Sequence, residues 1–145
     1  MTEINQSLEG LPIGEFAFPG PLRDKLVAAI LSGEKTATAS LEIEYRAAGE
    51  DPHDQLHRRE VVVNSEGTPV CIIENTAVEL SEFGAIDDAF AQAEGEGFTT
   101  AAQWATAHRE FWESEEFREE INRPSFTVTS STVVVCVRFK VVQVL

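Results

Sequence analysis

A lysine followed by hydroxyl side chains is the first feature of this sequence that could carry chemistry. Lys35 is followed by Thr36, Thr38 and Ser40. In an extended strand this spacing places the three hydroxyls on one face, with the ammonium group at its mouth. A hydroxyl nucleophile needs a base, and a desolvated lysine is one candidate. The segment predicts a site for nucleophilic chemistry or for a polar ligand; the alternative is a solvated strand face, because threonine favours strands.

Two glutamates in a glycine-rich turn form a second candidate cluster. Glu94 and Glu96 stand in the run Glu-Gly-Glu-Gly at positions 94–97. The glycines allow a sharp bend that could bring a carboxylate close to a partner. The alternative is a solvated acidic loop, since carboxylates also favour the N-terminus of the helix that follows.

The histidines do not form a recognisable metal site. His108 lies between Trp104 and Trp112 on one face of a predicted helix, which indicates a buried ring bonded to the backbone or, alternatively, a pocket residue. His53 and His57 have a spacing found in metal sites, but they lie in a charged loop without a cysteine or a third ligand. The sequence also lacks a P-loop, a Gly-x-Gly-x-x-Gly run and a zinc signature. We therefore expect no metal and no cofactor.

A helix must lead into the lysine segment. Pro21 suits the first helical position and Gly33 suits a left-handed stop, so a helix is predicted over residues 21–32. Within this helix we expect Leu22 on the buried stripe and Arg23 on the face toward water.

The remaining elements predict the fold class. Strands are predicted over residues 34–45, 61–63, 69–78 and 132–142, and helices over 86–93 and from 99 or 100 to about 120. Residues 46–59 read as a polar loop, and the odd-numbered residues of the last strand are expected to point inward. This order predicts an α+β fold, in which a mixed, mainly antiparallel sheet curls toward a β-barrel with flanking helices.

The composition favours a single acidic domain. The chain has 145 residues, and we treat residues 1–145 as one domain with residues 1–15 as a leader segment. Its 11 basic side chains against 25 acidic ones give a net charge of −14. Because phosphate contacts need a basic surface, this charge argues against an extended nucleic-acid interface but allows a local basic pocket.

The cysteines and the leader segment indicate the cellular compartment. Cys71 and Cys136 lie in apolar runs at no metal-like spacing, so we expect buried free thiols. The leader has no cationic start and no apolar core, and no segment approaches the roughly 20 apolar residues of a membrane span. We therefore expect a cytoplasmic protein that does not enter a membrane.

The stretch PGPLRDKLVAAILSGEKTATASL resembles the signature of the ASCH domain family, which belongs to the PUA-like group. The core of the likeness is a Gly-x-Lys-Thr-x-Thr run that follows an amphipathic helix. The strand pair VVVNSEGTPVCIIENTAV, the acidic turn, the Trp-x3-His-x2-Phe helix and the closing Val-Val-Cys-x-x-Phe strand also fit, in the same order. The likeness covers about residues 16 to 142 and implies a small β-barrel with a cleft beside the lysine.

The resemblance also implies activities. Members of the family have been proposed to bind RNA, some resemble ribonucleases, and one branch contains small amidohydrolases that remove acyl groups from the exocyclic amine of cytidine. In that branch a lysine, a threonine and a glutamate are the catalytic set. Lys35 and Thr38 match the first two, and Glu96 matches the third best, with Glu94 second. The branch carries an arginine two residues beyond the threonine, where this chain departs with Ser40.

Two function classes follow. In the first, a hydrolase acts on a nucleoside or on RNA: Lys35 takes a proton from Thr38 or from water, and Glu96 passes a proton to the leaving amine. In the second, a non-catalytic RNA- or nucleotide-binding module stacks a base on Tyr45 or Trp104. In both, we expect ligand contacts from a shared set of side chains: Thr36, Ser40, Glu94, Tyr45 and Trp104. The net charge favours a nucleoside-sized ligand or a short RNA, and a third possibility is a partner protein docking on the acidic helix.

Overall fold

A curled five-stranded sheet with helices on both faces forms the protein. In this computed structural model, residues 10–145 are described. The strands are β1 (Ile13–Gly14), β2 (Ala37–Leu41), β3 (Arg59–Val63), β4 (Pro69–Glu82) and β5 (Val133–Val144). The helices are α1 (Pro21–Ser32), α2 (Glu42–Ala47), α3 (Asp88–Ala93), α4 (Ala101–Trp112) and α5 (Glu115–Glu120), with short 3-10 turns at Pro52–Gln55 and Phe83–Ala85. The predicted α+β class is confirmed.

The strand order is β1-β3-β4-β5-β2, and every pairing is antiparallel except the parallel pair β1 and β3. The long pair β4 and β5 forms the spine of the sheet, and its register shifts between Ile72 and Ile73 and again between Asn75 and Ala77. Such irregularities bend a strand and increase its twist. They account for the curl of the sheet into a half-barrel.

Both faces of β5 are buried over residues 134–137, which corrects the prediction that only its odd-numbered residues point inward; from Arg138 to Lys140 the predicted alternation holds. Val134 and Cys136 pack with the tryptophans of α4 on one face. On the other face, Phe139 packs with Phe16 and the apolar side of α1. The prediction assumed one buried face. Because helices cover both faces of the sheet, even-numbered as well as odd-numbered residues of this strand are buried.

Strand β2, which follows Lys35, ends earlier than the strand predicted over residues 34–45. β2 stops at Leu41, and the Leu41 N–H donates to the Glu44 carboxylate at 2.7 Å. This contact turns the chain into α2, so Tyr45 lies on a helix and not on the predicted strand. In the predicted loop that follows, Pro52 and Gln55 are buried in a 3-10 turn.

The predicted helix over 99–120 is two helices. Thr100 caps α4 through its hydroxyl, as expected, but α4 ends at Trp112. The Ser114 hydroxyl then accepts from the Phe117 N–H and begins α5. The break lets Trp112 and Phe117 enter the same core cluster, which a straight helix would prevent.

Helix α1 has the predicted bounds, with Gly33 in the left-handed conformation at φ 87°. Its faces differ from the prediction: Leu22 is exposed, whereas Arg23 is buried and donates to the Ala17 carbonyl at 2.8 Å. The chain just before the helix covers Arg23, so the expectation is wrong for these two residues, while the predicted stripe is confirmed at Leu26, Ala29 and Ile30.

The segment predicted as a leader is partly structured. Ile13 and Gly14 pair with β3, and residues 1–9 of the leader lie outside the described residues. The longest helices between residues 10 and 145 have 12 residues, too few to cross a bilayer. Cys71 and Cys136 are free and buried, as expected.

Candidate functional site

The acidic turn docks directly on the backbone of the lysine segment. The Thr36 N–H donates to the Ala93 carbonyl at 2.8 Å, which joins the entry to β2 with the end of α3. Gly95 follows at φ +65°, and a Cβ built there would lie 2.5 Å from the Glu34 carbonyl oxygen. Only glycine fits both the conformation and the close approach. The glycine-rich turn therefore brings its two glutamates to Lys35, as its composition suggested.

The Lys35 side chain is enclosed by three acceptors. Lys35 is 2% exposed, and its Nζ donates to the Ala37 carbonyl at 2.8 Å and to the Glu94 carbonyl at 3.2 Å. Its third contact is the Glu96 Oε2 at 3.4 Å. An ammonium group has three donors and no acceptor, which matches these contacts. Lys35 is therefore a buried donor that holds Glu96 in place, and its role as a base stays a prediction.

Glu94 is the inner carboxylate of the site. It is 1% exposed, and its two oxygens accept from the Trp104 Nε1–H at 3.1 Å and from His108 Nε2 at 3.2 Å. Burial acts to raise the pKa of Glu94, but the hydrogen bond and the charge of His108 outweigh it and hold the pKa at about 2. Burial acts to lower the pKa of His108, and the Glu94 carboxylate outweighs that effect and raises it.

Glu96 is the outer carboxylate. Its side chain is 22% exposed, so it is open to solvent while Lys35 is not. Burial raises the pKa of Glu96 to about 7, and a hydrogen bond with Glu94 adds to the rise, while the charge of Lys35 opposes it. A carboxyl group with a pKa near neutrality can both give and accept a proton at physiological pH.

Glu94, Glu96 and His108 are also the set of described residues whose ligand atoms could surround a metal ion, since these atoms lie within 4.8 Å of one another. Lys35 places a positive charge 3.4 Å from Glu96, and His108 Nε2 is already hydrogen-bonded to Glu94. A cation would meet the charge of Lys35 and would have to break that hydrogen bond. The existing contacts of Glu94, Glu96 and His108 therefore use the atoms that a cation would need as ligands.

Among residues 10–145, the other predicted hydroxyl groups make no hydrogen bond to the side chains of Lys35, Glu94 or Glu96. Thr36 lies at the edge of this cluster, where its hydroxyl contacts the Ala93 carbonyl at 3.4 Å. Thr38 has no hydrogen bond to Lys35, Glu94 or Glu96 within residues 10–145. The Ser40 hydroxyl donates to the Tyr45 hydroxyl at 3.2 Å, which forms a separate polar pair.

Trp104 requires a correction. Its side chain is fully buried, so it has no free face on which a base could stack. The indole instead stacks on the His108 ring at 4.3 Å and packs against Phe83 and Phe90. The sequence prediction missed this role because the hydrophobic pattern of a helix is the same whether its tryptophan faces a cleft or the core.

Sequence reasoning also missed His108 as a partner of Glu94. The expected bond to the backbone is present, from Nδ1 to the Trp104 carbonyl at 3.0 Å. The spacing of Trp104 and His108 signalled a shared helix face, but nothing in the sequence indicated which carboxylate would meet that face.

Comparisons with known proteins agree with this architecture. A model of the ASCH domain matches residues 15–143. An ASCH domain structure from Lactobacillus crispatus JV V101 is 31% identical, with a TM-score of 0.79 over 99% of this chain and 86% of that one. Protein EF3133 from Enterococcus faecalis V583 is 26% identical, with a TM-score of 0.76 over 99% of this chain and 84% of that one. No curated protein matches the chain. Because the match covers nearly the whole chain and includes both the lysine segment and the acidic turn, the chain belongs to the ASCH domain family, which has a PUA-like fold.

Proposed function

We propose that the protein is a hydrolase that acts on a nucleoside-sized substrate, with Glu96 as its proton-transfer group. One observation carries the proposal: a partly exposed carboxyl group with a pKa of about 7 is held 3.4 Å from a buried ammonium group. A carboxyl group with a pKa near the working pH suits general acid–base catalysis, and such perturbed groups cluster at functional sites.

The reaction needs only one proton carrier. The ionised Glu96 takes a proton from water as the water oxygen adds to the acyl carbon of the substrate. The same proton then passes to the leaving nitrogen as the carbon–nitrogen bond breaks, which yields a carboxylic acid and a free amine. The charge of Lys35 keeps Glu96 in place throughout. Thr38, on the adjoining strand, is proposed to orient the substrate, in line with its match to the amidohydrolase branch.

The surface charge and shape favour a small substrate. The net charge of −14 disfavours an extended phosphate backbone. Two surface clefts, of about 580 Å³ beside Phe18 and α5 and about 120 Å³ beside Phe90 and Arg138, are lined by none of Lys35, Glu94, Glu96 and His108. A substrate is therefore proposed to approach the exposed edge of Glu96 beside Thr36. The free buried thiols support a cytoplasmic location as part of this proposal.

The test is hydrolysis of N4-acylcytidines by the purified protein and by a Glu96→Gln variant. We expect the variant to lose about 100-fold or more in kcat, because a positioned general acid–base contributes about 10²–10⁴-fold. Glu74→Gln is a matched control, since the Glu74 side chain is similarly exposed at 23% and also faces a lysine. The control should keep its activity within about twofold. Full activity in Glu96→Gln would overturn the proposal.

A non-catalytic nucleotide-binding module is the second candidate. Hydrogen bonds to the buried polar atoms of Lys35 and Glu94 support its non-catalytic character. The three donors of Lys35 and both oxygens of Glu94 have partners, as they would in a purely structural network. Titration with single-stranded RNA at several salt concentrations separates the candidates. The hydrolase proposal expects weak binding with a salt slope of about 1–2 phosphates. Tight binding with a steep slope, together with no turnover, would favour the binding module.

A further inference from the structure

His108 does not reach Glu96 through any hydrogen bond between residues 10 and 145, yet its position decides where the proton of the glutamate pair can lie. The ring is mostly buried, with its side chain 12% exposed, and it is stacked on Trp104. Both ring nitrogens have partners within hydrogen-bonding distance. The nature of those two partners sets the protonation of the ring.

The Nδ1 atom must carry a hydrogen. Its partner, the Trp104 carbonyl at 3.0 Å, can only accept. The Nε2 atom faces Glu94 Oε2 at 3.2 Å, and the other oxygen of Glu94 accepts from the Trp104 indole. A carboxylate flanked by two donors is stabilised in its ionised form, so the ring carries a hydrogen on Nε2 as well and is an imidazolium.

Two cationic side chains flank the pair of glutamates, and the buried Cys136 thiol of β5 is a further titratable group that interacts with Glu94. Lys35 reaches Glu96 from the entry to β2, and His108 reaches Glu94 from α4. The two glutamates face each other across the turn after α3. Their carboxylate oxygens lie within 4.8 Å of each other, and two carboxyl groups this close do not both ionise easily, so one of them keeps a proton over a wide pH range. His108 stabilises the negative charge on Glu94, which leaves that proton on Glu96.

We infer that His108 is a positioning residue, which holds Glu94 as the carboxylate and thereby assigns the shared proton to the exposed Glu96. This inference rests on the proposed function for its catalytic meaning, because Glu96 is the proposed proton carrier. The placement of the proton is a property of the resting protein and does not depend on turnover.

The test is a site-resolved titration of the two glutamates by carbon NMR in the wild type and in a His108→Gln variant. In the wild type at about pH 5.5, we expect a protonated Glu96 and an ionised Glu94, as the linked titration of the pair requires. Glutamine keeps a hydrogen-bond donor but removes the charge, so the proton should move to the more buried Glu94. The apparent pKa of Glu96 should then fall by at least about one unit.

The activity readout is the pH profile. In His108→Gln, the acidic limb of the pH–rate profile should move to lower pH, because Glu96 ionises at lower pH. The maximal rate should fall, because Glu96 is then a weaker base. A lost hydrogen bond or a packing defect would lower the rate without moving the limb. The exposed His53, which pairs with Asp51, supplies the control variant His53→Gln, which should change neither readout.

Two results would overturn the inference. The first is an unchanged Glu96 titration in a folded His108→Gln variant. The second needs no variant: nitrogen NMR of the wild type at pH 7 must show hydrogens on both ring nitrogens of His108, and a neutral ring contradicts the inference even if the variant fails to fold. A shifted Glu96 titration without hydrolysis of any acylated nucleoside would instead contradict the proposed function and support the proton placement.

Discussion

Two lysine–glutamate pairs in this protein have similar geometry and opposite effects. Lys35 and Glu96 approach to 3.4 Å, and Lys140 and Glu74 approach to 3.9 Å across the sheet. The glutamates are about equally exposed, at 22% and 23%, whereas the lysines are 1% and 62% exposed. The pKa of Glu74 is lowered, mainly by a hydrogen bond from Arg59, while burial raises the pKa of Glu96 to about 7.

The difference teaches that a nearby cation does not by itself decide the state of a carboxyl group. Around Glu74, the charges of Arg59 and Lys140 both favour the ionised carboxylate. Around Glu96, desolvation and the neighbouring Glu94 together outweigh the attraction of Lys35. The buried pair is therefore suited to chemistry, and the exposed pair behaves as an ordinary surface ion pair.

The largest expected effect comes from removing each lysine. Lys35→Met leaves two carbonyls and the Glu96 carboxyl group without their shared donor in a buried site. We expect a loss of about 3–5 kcal/mol in the free energy of unfolding, because the remaining groups are left uncompensated. Lys140→Met removes only a solvent-exposed partner and should cause no measurable loss. Urea unfolding followed by tryptophan fluorescence measures both, and equal effects of the two changes would break the comparison.

A smaller effect is expected from the turn that builds the buried pair. In Gly95→Ala, the new methyl group would meet the Glu34 carbonyl at 2.5 Å with the residue at φ +65°. We expect a loss of about 2–4 kcal/mol from backbone strain and overpacking.

Gly97→Ala is the matched control for that prediction. Gly97 also has a positive φ, of +93°, but its Cβ would find no atom within 4 Å. Its loss should be only about 1–2 kcal/mol from the left-handed conformation. Similar losses for the two variants would mean that the close docking of the turn contributes nothing to stability.

The smallest expected effect is the pH dependence of the free energy of unfolding, which distinguishes Glu96 from Glu74. The pKa of Glu96 in the folded state, about 7, lies above its ordinary value of 4.5, so the native protein binds more protons than the unfolded chain between these values. The contribution of Glu96 to stability is therefore greatest below about pH 4.5 and is lost as the pH rises toward 7. Relative to Glu96→Gln, the wild type should lose roughly 1–3 kcal/mol over this range.

Glu74 should show the opposite sign, because its pKa is lowered. Its contribution is present above pH 4.5 and is lost on acidification. Unfolding of the wild type, Glu96→Gln and Glu74→Gln from pH 2.5 to 7.5 in steps of one unit measures both trends, the Glu74 trend below pH 4.5 and the Glu96 trend above it. Parallel curves for all three proteins would contradict the assignment of different environments to the two glutamates.

Local signals in the sequence determined several elements of this fold. Pro21 and Gly33 mark the observed bounds of α1, and Thr100 marks the start of α4. The apolar runs around Cys71 and Cys136 are the buried strands β4 and β5. These features depend on neighbours within a few residues, where backbone conformation and period decide the outcome.

The misplaced boundaries have a common cause. The end of β2 depends on the capping contact of Glu44, and the break after Trp112 depends on the packing of Phe117 into a core shared with other elements. A hydrophobic pattern does not distinguish one long element from two that meet at an angle. The burial of Arg23 likewise depends on the segment before α1, which returns across the start of that helix.

The sequence by itself determined which residue types this protein has for chemistry: a lysine after a helix stop, and two glutamates in a glycine-rich turn. Only the tertiary structure decided that Lys35 and Glu96, 61 residues apart, meet in a buried site. It also decided that His108 contacts the Glu94 carboxylate. The physical reason is that the protonation of a carboxyl group depends on its burial and on the charges around it. Those surroundings come from elements distant in the chain, and they exist only once α3 and α4 have docked on the segment that begins β2.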